Sequence, residues 1–381
     1  MSTYNVVHAD CLAALRDMPD ASVDAVVTDP PYGLSNTTPA QVADTITRWA
    51  SGDREYLPTS VGFMGHEWDA FVPPVAVWDE CLRVLKPGGH LLAFAGSRTH
   101  DLMTLGIRLA GFEIRDSIAW LHAQGFPKAK SQLKPAHEPI TLARKPPEGS
   151  IAVNVQEHGT GALNIDACRI GMSDADRAVV DNRSGKADSA GGGVFREGFG
   201  ARPAGERFTS DPAGRWPANV VLDESQSAEL DRQSGNVKTG ATKPHQRDPD
   251  SAPMFKVGKW MTHSQPASEG GASRFFYAAK APKSERPVVD GTAHPTVKPL
   301  ALMRWLVRMV TPPGGVVLDP FAGSGATLEA AMLEGFNVTG IEREADYLPL
   351  IQARIDRATA EMEAQAEAEG DTLFPIDGAA S

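Results

Sequence analysis

Short apolar strands alternate with amphipathic helices at both ends of this 381-residue chain, and this alternation limits the folds it can adopt. In the first part, the predicted elements are Tyr4–Asp10, Cys11–Met18, Val23–Val27, Val75–Leu85, His90–Phe94, Thr99–Ala110, Phe112–Trp120 and His137–Arg144. In the last part, they are Pro299–Met309, Val316–Leu318, Ala326–Leu333, Phe336–Ile341 and a helix from Ala345 to about Glu369. Strands separated by helices of this length are typical of an α/β fold, with a doubly wound, mostly parallel sheet.

The middle of the chain lacks this periodicity. Between Lys145 and Gly291, glycine, proline and scattered charges replace the periodic hydrophobic residues. We therefore predict that residues 1–144 and 294–369 are two halves of one domain, that 145–293 is an inserted and partly flexible region, and that 370–381 is a loose tail.

Composition excludes several classes of protein. No apolar run approaches the roughly 18 residues of a membrane span, and Met1–Asn5 has neither the basic region nor the apolar core of a signal peptide. Cys11, Cys81 and Cys168 are far apart, so we expect a cytoplasmic protein without a metal site or disulfide framework. Because the net charge is −11, a nucleic-acid ligand would need a local basic cleft.

The segment Thr28–Tyr32 follows the apolar run Val23–Val27 and contains two consecutive prolines. Each proline fixes its own φ and lacks a backbone donor, so the chain leaves the strand through a stiff corner. That corner presents the Asp29 carboxylate, the Pro30 carbonyl and the aromatic face of Tyr32. This combination suits a flat ring with an amino group, which would stack on the aromatic face while the two oxygens accept its hydrogen bonds.

A second candidate site follows the strand Val316–Leu318. There, the glycine-rich turn Asp319–Gly325 leads into the helix Ala326–Leu333, and the next strand ends at Glu342. The helix N-terminus offers free N–H groups, and Glu342 can accept hydrogen bonds from ribose hydroxyls. Because Asp319 opposes a phosphate and attracts an ammonium, S-adenosylmethionine fits this pattern better than NAD or ATP. Taken alone, the fragment is equally well explained as a tight strand–helix turn.

The two segments together resemble the two signature motifs of amino-directed DNA methyltransferases, which modify N6 of adenine or N4 of cytosine. The segments are Asp29-Pro30-Pro31-Tyr32 and Asp319-Pro320-Phe321-Ala322-Gly323-Ser324-Gly325. Their order, with His294–Pro299 just before the cofactor motif, is that of the β group, a circular permutation of the class I methyltransferase fold. Four further stretches resemble phage and prophage methylases: Phe63–Asp69, Arg83–His90, Gly125–Lys128 and Gly161–Asp166. The resemblance covers 4–144 and 274–355 well, and the inserted region only in patches.

The resemblance implies a catalytic site made of Asp29, Pro30, Pro31 and Tyr32. The target base would be flipped out of double-stranded DNA and stacked on Tyr32. Asp29 and the Pro30 carbonyl would accept hydrogen bonds from its exocyclic amino group, which then attacks the methyl group without a covalent enzyme intermediate.

On the cofactor side, the resemblance implies that Asp319 faces the amino acid end of S-adenosylmethionine and that Glu342 binds its ribose. The turn beside the cofactor would consist of Phe321, Ala322, Gly323, Ser324 and Gly325.

The resemblance implies further residues of the cofactor pocket, and two of them have a second possible role. His294, Thr296 and Lys298 match a family segment that lines this pocket. Lys298 either pairs with the methionine carboxylate or is a solvated lysine at a helix start. Asp10 either contacts the cofactor adenine or caps the helix that begins at Cys11.

The substrate also has alternatives. Asp29 at the first motif position is more typical of adenine N6 enzymes, and cytosine N4 is the first alternative. Related motifs serve RNA and protein-glutamine methylation, and a decayed nucleic-acid-binding module is a non-enzymatic alternative. The family also suggests a homodimer and a separate restriction nuclease as partners.

Basic residues on both sides of the inserted region are the candidates for DNA contact, and the loop 33–74 is a candidate for closing over the flipped base through Trp68 and Phe63. The basic candidates are Lys128, Lys130, Lys134, Arg144, Lys145, Arg274, Lys280, Lys283 and Arg286.

Overall fold

The computed structural model describes residues 2–35, 37–59, 62, 67–123, 125, 130, 133–184, 210–239, 245–246, 260–261, 268–279, 285 and 287–372. Several sequence predictions fall outside these residues: those for 63–66, 126–128 and 373–381, and those for Lys280, Lys283 and Arg286. Contacts divide the chain into two compact units. The first contains Met1–Cys168, Asn219–Glu224 and Ala278–Ser381, and the second contains Arg169–Ala218 and Ser225–Tyr277.

The β-strands are β1 Tyr4–His8, β2 Val23–Thr28, β3 Leu85–Phe94, β4 Glu113–Leu121, β5 His137–Arg144, β6 Val220–Asp223, β7 Val237–Thr239, β8 His245–Gln246, β9 Trp260–Met261, β10 Ser268–Gly270, β11 Tyr277–Ala279, β12 Val288–Val289, β13 Thr292–Ala293, β14 Val316–Asp319 and β15 Asn337–Glu342. The α-helices are α1 Cys11–Asp17, α2 Pro39–Ser51, α3 Val75–Val84, α4 His100–Leu109, α5 Ile151–His158, α6 Asp174–Ser184, α7 Glu224–Ser234, α8 Leu300–Val310, α9 Ala326–Leu333 and α10 Leu348–Thr372. None of these described helices is both long and apolar enough to cross a bilayer.

Within the described residues, nine strands form one sheet in the order β1-β15-β14-β2-β3-β5-β4-β6-β11. The strands from β1 to β3 in this order are parallel to their neighbours, which confirms the predicted doubly wound, mostly parallel sheet. Strand β5 runs antiparallel to both β3 and β4. No helix of the described residues separates β4 from β5 in the chain, and antiparallel neighbours need no helical crossover.

The last part of the chain places β14 between β15 and β2, so the two candidate motifs follow neighbouring strands. Val317 pairs with Ala25 and Leu318 with Val26. Because the strands are parallel, their carboxyl ends lie at the same edge of the sheet, where ligands of doubly wound folds bind.

Two details of the first unit differ from the sequence predictions. The segment 33–74 was expected to be irregular, yet it contains α2, whose Trp49 is fully buried. Strand β3 begins at Leu85 rather than at His90, because the Lys86–Gly89 segment continues the strand as an irregularity in its pairing with β2.

The second unit has its own buried charge cluster. Asp176, which is 6% exposed, lies 3.0 Å from the guanidinium of Arg215 and 3.5 Å from that of Arg274. Pairing with two cations offsets the cost of burying this carboxylate.

Candidate functional site

A cleft of about 1250 Å³, counted with its open mouth, lies at the carboxyl edge of the parallel strands in the first unit. Every site residue predicted from the sequence except Gly325 lines this cleft. They are Asp10, Asp29, Pro30, Pro31, Tyr32, His294, Thr296, Lys298, Asp319, Phe321, Ala322, Gly323, Ser324 and Glu342. The two motifs, which are far apart in sequence, therefore form walls of the same cavity.

Asp29 lies directly after β2 and pairs with a buried lysine. The Lys298 Nζ atom donates a 2.6 Å hydrogen bond to Asp29 Oδ2. The lysine side chain is only 6% exposed, so its interpretation as a solvated residue at a helix start was wrong, whereas 20% of the Asp29 side chain remains exposed. Burial raises the pKa of Asp29, and the charge of Lys298 opposes that rise.

Tyr32 is held at both its backbone and its hydroxyl. The hydroxyl donates a 2.6 Å hydrogen bond to Glu138 Oε2, and the backbone N–H donates to Asp69 Oδ1 at 2.7 Å. The Tyr32 carbonyl accepts a 2.6 Å hydrogen bond from Thr99 Oγ1. The aromatic ring is therefore fixed in orientation before any ligand binds.

Asp319 ends β14 and is only 1% exposed. Its Oδ1 atom accepts hydrogen bonds from Thr28 Oγ1 at 2.6 Å and from the Phe321 backbone N–H at 3.1 Å. Burial nevertheless raises its pKa to about 6, because these donors only partly offset the lost hydration.

The glycine-rich turn depends on backbone conformations that favour glycine. Gly323 has φ +53°, and a Cβ there would lie 3.1 Å from His294 Nε2. Gly325 caps α9 with φ +83°, and a Cβ there would lie 3.1 Å from the Cα atom of Ile351. Gly325 therefore shapes the turn without lining the cleft.

Glu342 supports the same turn from the end of β15. Its Oε2 atom accepts a 2.6 Å hydrogen bond from the Gly323 N–H, and its Oε1 atom accepts one of 2.8 Å from the Glu344 N–H. Burial raises the pKa of this carboxyl, and the two backbone donors oppose the rise. Each oxygen retains a lone pair that can accept from a ligand hydroxyl.

Asp10 caps α1, as one of its two interpretations predicted. Its Oδ1 atom accepts hydrogen bonds from the backbone N–H groups of Leu12 and Ala13, at 3.0 and 3.2 Å. Asp10 also lines the cleft, so its capping role does not prevent it from contacting a ligand there.

Sequence reasoning missed the roles of Glu138 and Asp69, and only Asp69 stood in a segment already singled out. An acidic residue directly before the buried run 139–143 of β5 was the only sequence signal for Glu138. The neighbouring Trp68 ring stacks on His294 at 6.2 Å between centroids, and His294 in turn meets the edge of Tyr347 at 4.6 Å.

The cysteines carry no reactive thiolate in this site. Burial raises the pKa of Cys11 to about 12, and it raises the pKa of Cys81 well above its ordinary value. Thiols with such pKa values are protonated and poorly nucleophilic at neutral pH. Cys11 and Cys81 are therefore packing residues rather than nucleophiles.

A protein-family model described as DNA methylase matches residues 23–353. The DNA adenine methyltransferase YhdJ of Escherichia coli strain K12 is 22% identical over 358 residues, which cover 93% of this chain and 83% of that protein. The type II methyltransferase M.ScaI of Streptomyces caespitosus is 38% identical over 91 residues, which cover 24% of this chain and 26% of that protein.

Solved structures of similar proteins cover most of the chain. A putative DNA modification methylase from Thermus thermophilus, complexed with S-adenosyl-L-methionine, is 18% identical with a TM-score of 0.43 and covers 93% of this chain and 94% of its own. The PvuII DNA methyltransferase, which is cytosine-N4-specific, is 14% identical with a TM-score of 0.46 and covers 93% of this chain and 86% of its own.

Proposed function

The chain belongs to the family of DNA methylases that modify N6 of adenine or N4 of cytosine, and we propose that it methylates adenine N6 through the site formed by Asp29, Pro30, Pro31 and Tyr32. Like its family, it uses S-adenosylmethionine as the methyl donor. The observation that carries the proposed site is that Asp29 and the Asp319 turn follow neighbouring parallel strands and line one cleft.

On the base side, the residues of the corner offer acceptors and an aromatic face. A base rotated out of the duplex would stack on the Tyr32 ring. Its exocyclic amino group would donate to the exposed part of the Asp29 carboxylate and to the Pro30 carbonyl. These acceptors hold the amino group in place and favour the positive charge that develops on its nitrogen.

The opposite wall of the cleft fits S-adenosylmethionine in both charge and shape. We propose that the carboxylate of Asp319 attracts the ammonium of the amino acid end and that Glu342 accepts from the ribose hydroxyls. The absence of a Cβ at Gly323, with His294 close by, allows a ligand to approach the backbone of the turn. Phe321, Ala322 and Ser324 would complete that wall. When bound, the cofactor supplies a methyl group on a positively charged sulfur.

The proposed chemistry depends on positioning rather than on a nucleophilic side chain. The amino nitrogen of the base is the nucleophile, and Asp29 and Tyr32 hold it in line with the methyl group. The high pKa of the Cys11 thiol agrees with a route that needs no covalent enzyme intermediate. As the new C–N bond forms, the C–S bond breaks and the sulfur is left neutral, and the methylated nitrogen gives its extra proton to the Asp29 carboxylate and from there to solvent.

Adenine is proposed as the target because the first motif residue is Asp29. The Asp29 carboxylate and the Pro30 carbonyl would also accept hydrogen bonds from N4 of cytosine, so the base must be identified directly. Nucleoside mass spectrometry on DNA from an expression host that lacks its own amino-directed methylases makes this distinction.

The experiment compares the wild-type chain with Asp29→Ala and Asp29→Asn. We expect N6-methyladenine in DNA from cells expressing the wild type and only background levels with either variant. N4-methylcytosine in its place would assign the alternative base. If neither modified base rises above the Asp29→Ala background, the proposed function is wrong.

The family resemblance also leads us to propose double-stranded DNA as the substrate form, a cytoplasmic location, a homodimer and a separate restriction nuclease. Light scattering on the purified protein tests the dimer, and a comparison of duplex and single-stranded DNA tests the form of the substrate.

A further inference from the structure

One buried ammonium lies between two carboxylates beside the proposed base site. The Lys298 Nζ atom is 2.6 Å from Asp29 Oδ2 and 3.3 Å from Glu138 Oε2. It also lies 5.1 Å from the centre of the Tyr32 ring and 5.0 Å from that of Phe94. The lysine is therefore held by two anions and two aromatic rings rather than by solvent.

Glu138 connects this ammonium to the Tyr32 ring. Its Oε2 atom accepts both the 2.6 Å hydrogen bond from the Tyr32 hydroxyl and the contact from Lys298. Its Oε1 atom lies 3.6 Å from His122 Nε2. Glu138 belongs to β5, where it pairs with Trp120 of β4, so a rigid part of the sheet carries it.

The charges explain why two carboxylates are useful here. A carboxylate offers about four lone-pair positions, and Asp29 must keep some of them for the amino group of the base. If Lys298 had Asp29 as its single counter-ion, the ammonium would be drawn fully onto the acceptor that the base needs. A second anion shares the ammonium, so part of the Asp29 carboxylate stays available to accept from the base.

We propose that Glu138 is a positioning residue for methyl transfer: it shares the Lys298 ammonium with Asp29 and fixes the Tyr32 ring through the phenol hydroxyl. The proposal rests on the proposed function, because it takes Asp29 and Tyr32 to be the groups that hold the target base. Glu138 itself does not line the cleft and acts through these two neighbours.

The ionisation state of Glu138 agrees with this role. Burial acts to raise its pKa, but Lys298 and the hydrogen bond from Tyr32 outweigh burial and lower it. Burial also lowers the pKa of His122, so this ring is neutral at pH 7 and does not replace Lys298 as the cation beside Glu138. Glu138 is therefore an anion at neutral pH.

Steady-state methylation of unmodified DNA by the full-length protein tests the proposal through Glu138→Gln. The amide can still accept from the Tyr32 hydroxyl, but it no longer attracts the ammonium. We expect kcat to fall about tenfold or more while KM for S-adenosylmethionine changes less than about twofold, because Asp319, Glu342 and the glycine-rich turn keep their contacts. Glu334→Gln is the matched control, since the carboxylate of Glu334 pairs with Arg304 and Arg308 away from the cleft, and its variant should keep the wild-type kcat.

A double-mutant cycle separates a shared ammonium from general damage. In the Lys298→Gln background there is no ammonium to share. Glu138→Gln should therefore lower kcat by a much smaller factor in that background than in the wild type. Wild-type kcat in Glu138→Gln, or an equal loss in both backgrounds, would overturn the proposal. If Glu138→Gln does not fold, Tyr32→Phe tests the other contact: it should lower kcat about threefold or more at unchanged cofactor KM, and wild-type kcat would overturn the role.

Asp29→Ala distinguishes the two possible failures. If Asp29→Ala abolishes methylation while Glu138→Gln retains the wild-type rate, only the inference about Glu138 is wrong. If Asp29→Ala retains methylation, the proposed function of the site fails first.

Discussion

Thr28 Oγ1 donates a 2.6 Å hydrogen bond to Asp319 Oδ1 and so joins two residues that are 291 positions apart in the chain. Thr28 ends β2 and immediately precedes Asp29, while Asp319 ends β14 and begins the glycine-rich turn. The bond is buried, and it ties the proposed base side of the cleft to its cofactor side at the point where the two strands end. A change at either residue should therefore affect both sides.

Thr28→Val removes this hydroxyl while nearly preserving the shape of the side chain. Because Asp319 is only 1% exposed, water cannot readily replace the lost donor. Hydrogen bonds to charged groups contribute about 1.5–3 kcal/mol, so we expect the free energy of unfolding to fall by about 2 kcal/mol and cofactor affinity to fall with it. Urea denaturation and calorimetric titration measure the two effects.

Thr45→Val is the matched control for that variant. Thr45 is also fully buried, but its hydroxyl donates to the Gln41 carbonyl within α2 and not to the cleft. Its replacement should leave cofactor affinity unchanged. Wild-type affinity in Thr28→Val as well would show that the cofactor site does not need the bond between Thr28 and Asp319.

The raised pKa of Asp319 predicts that both the stability of the fold and cofactor binding depend on pH. Burial raises its pKa from an ordinary 3.8 to about 6, so between these values the folded protein holds a proton that the unfolded chain has lost. The resulting stabilisation is fully present below about pH 4 and is lost as the pH rises through about 6. The carboxylate that attracts an ammonium forms over the same range, so affinity for S-adenosylmethionine should rise between about pH 5 and pH 7.

Calorimetric titrations at several pH values check this expectation, with Asp319→Asn as the comparison. The amide keeps an acceptor for Thr28 and Phe321 but does not ionise, so the variant should bind weakly and lack the rise in affinity. An equal rise in wild type and variant would assign the pH dependence to another group of the cleft.

The sequence predicted the parts of the fold that local periodicity controls, and it predicted the two motifs because prolines and glycines mark them. It also contained the signals of α2: Thr38 and Gln41 form a capping box, Pro39 occupies the first turn, and Gly52 ends the helix with φ +107°. These local signals were outweighed by the polar composition of the segment.

The site was harder to predict where its contacts are long-range. In the sequence, Lys298 resembles any exposed lysine near the start of a helix. Only the fold reveals the two carboxylates that make its burial tolerable. Glu138 is similar, because its partners Tyr32 and Lys298 are brought together by strands that are distant in the chain. The antiparallel direction of β5 is likewise set by the strands it pairs with and not by its own sequence.

Asp69 should control the geometry of the catalytic corner. Its buried Oδ1 atom accepts hydrogen bonds from the backbone N–H groups of Tyr32 at 2.7 Å and Gly33 at 2.9 Å. Asp69→Ala leaves both donors without this acceptor, so we expect kcat for DNA methylation to fall about tenfold or more. Asp69→Asn keeps a carbonyl oxygen as an acceptor, so its kcat should fall less.

Asp44→Ala provides the control for Asp69. Asp44 forms an exposed ion pair with Arg48 on α2, and such pairs contribute little. Its variant should methylate DNA at the wild-type rate. If Asp69→Ala does the same, the corner is held by its prolines and by Thr99 without help from Asp69.

Gly325 and Gly335 allow a matched test of the glycine-rich turn. Both have positive φ, +83° and +78°, but a Cβ at Gly325 would lie 3.1 Å from the Ile351 Cα atom, whereas a Cβ at Gly335 meets nothing within 4 Å. An L-residue in this conformation costs roughly 1–2 kcal/mol, so Gly335→Ala should lose about that much in free energy of unfolding. Gly325→Ala should lose more, because backbone atoms must also move, and it should bind S-adenosylmethionine more weakly. Urea denaturation with calorimetric titration compares the variants; equal losses of stability and equal affinities would mean that the approach of Gly325 to Ile351 does not shape the cofactor wall.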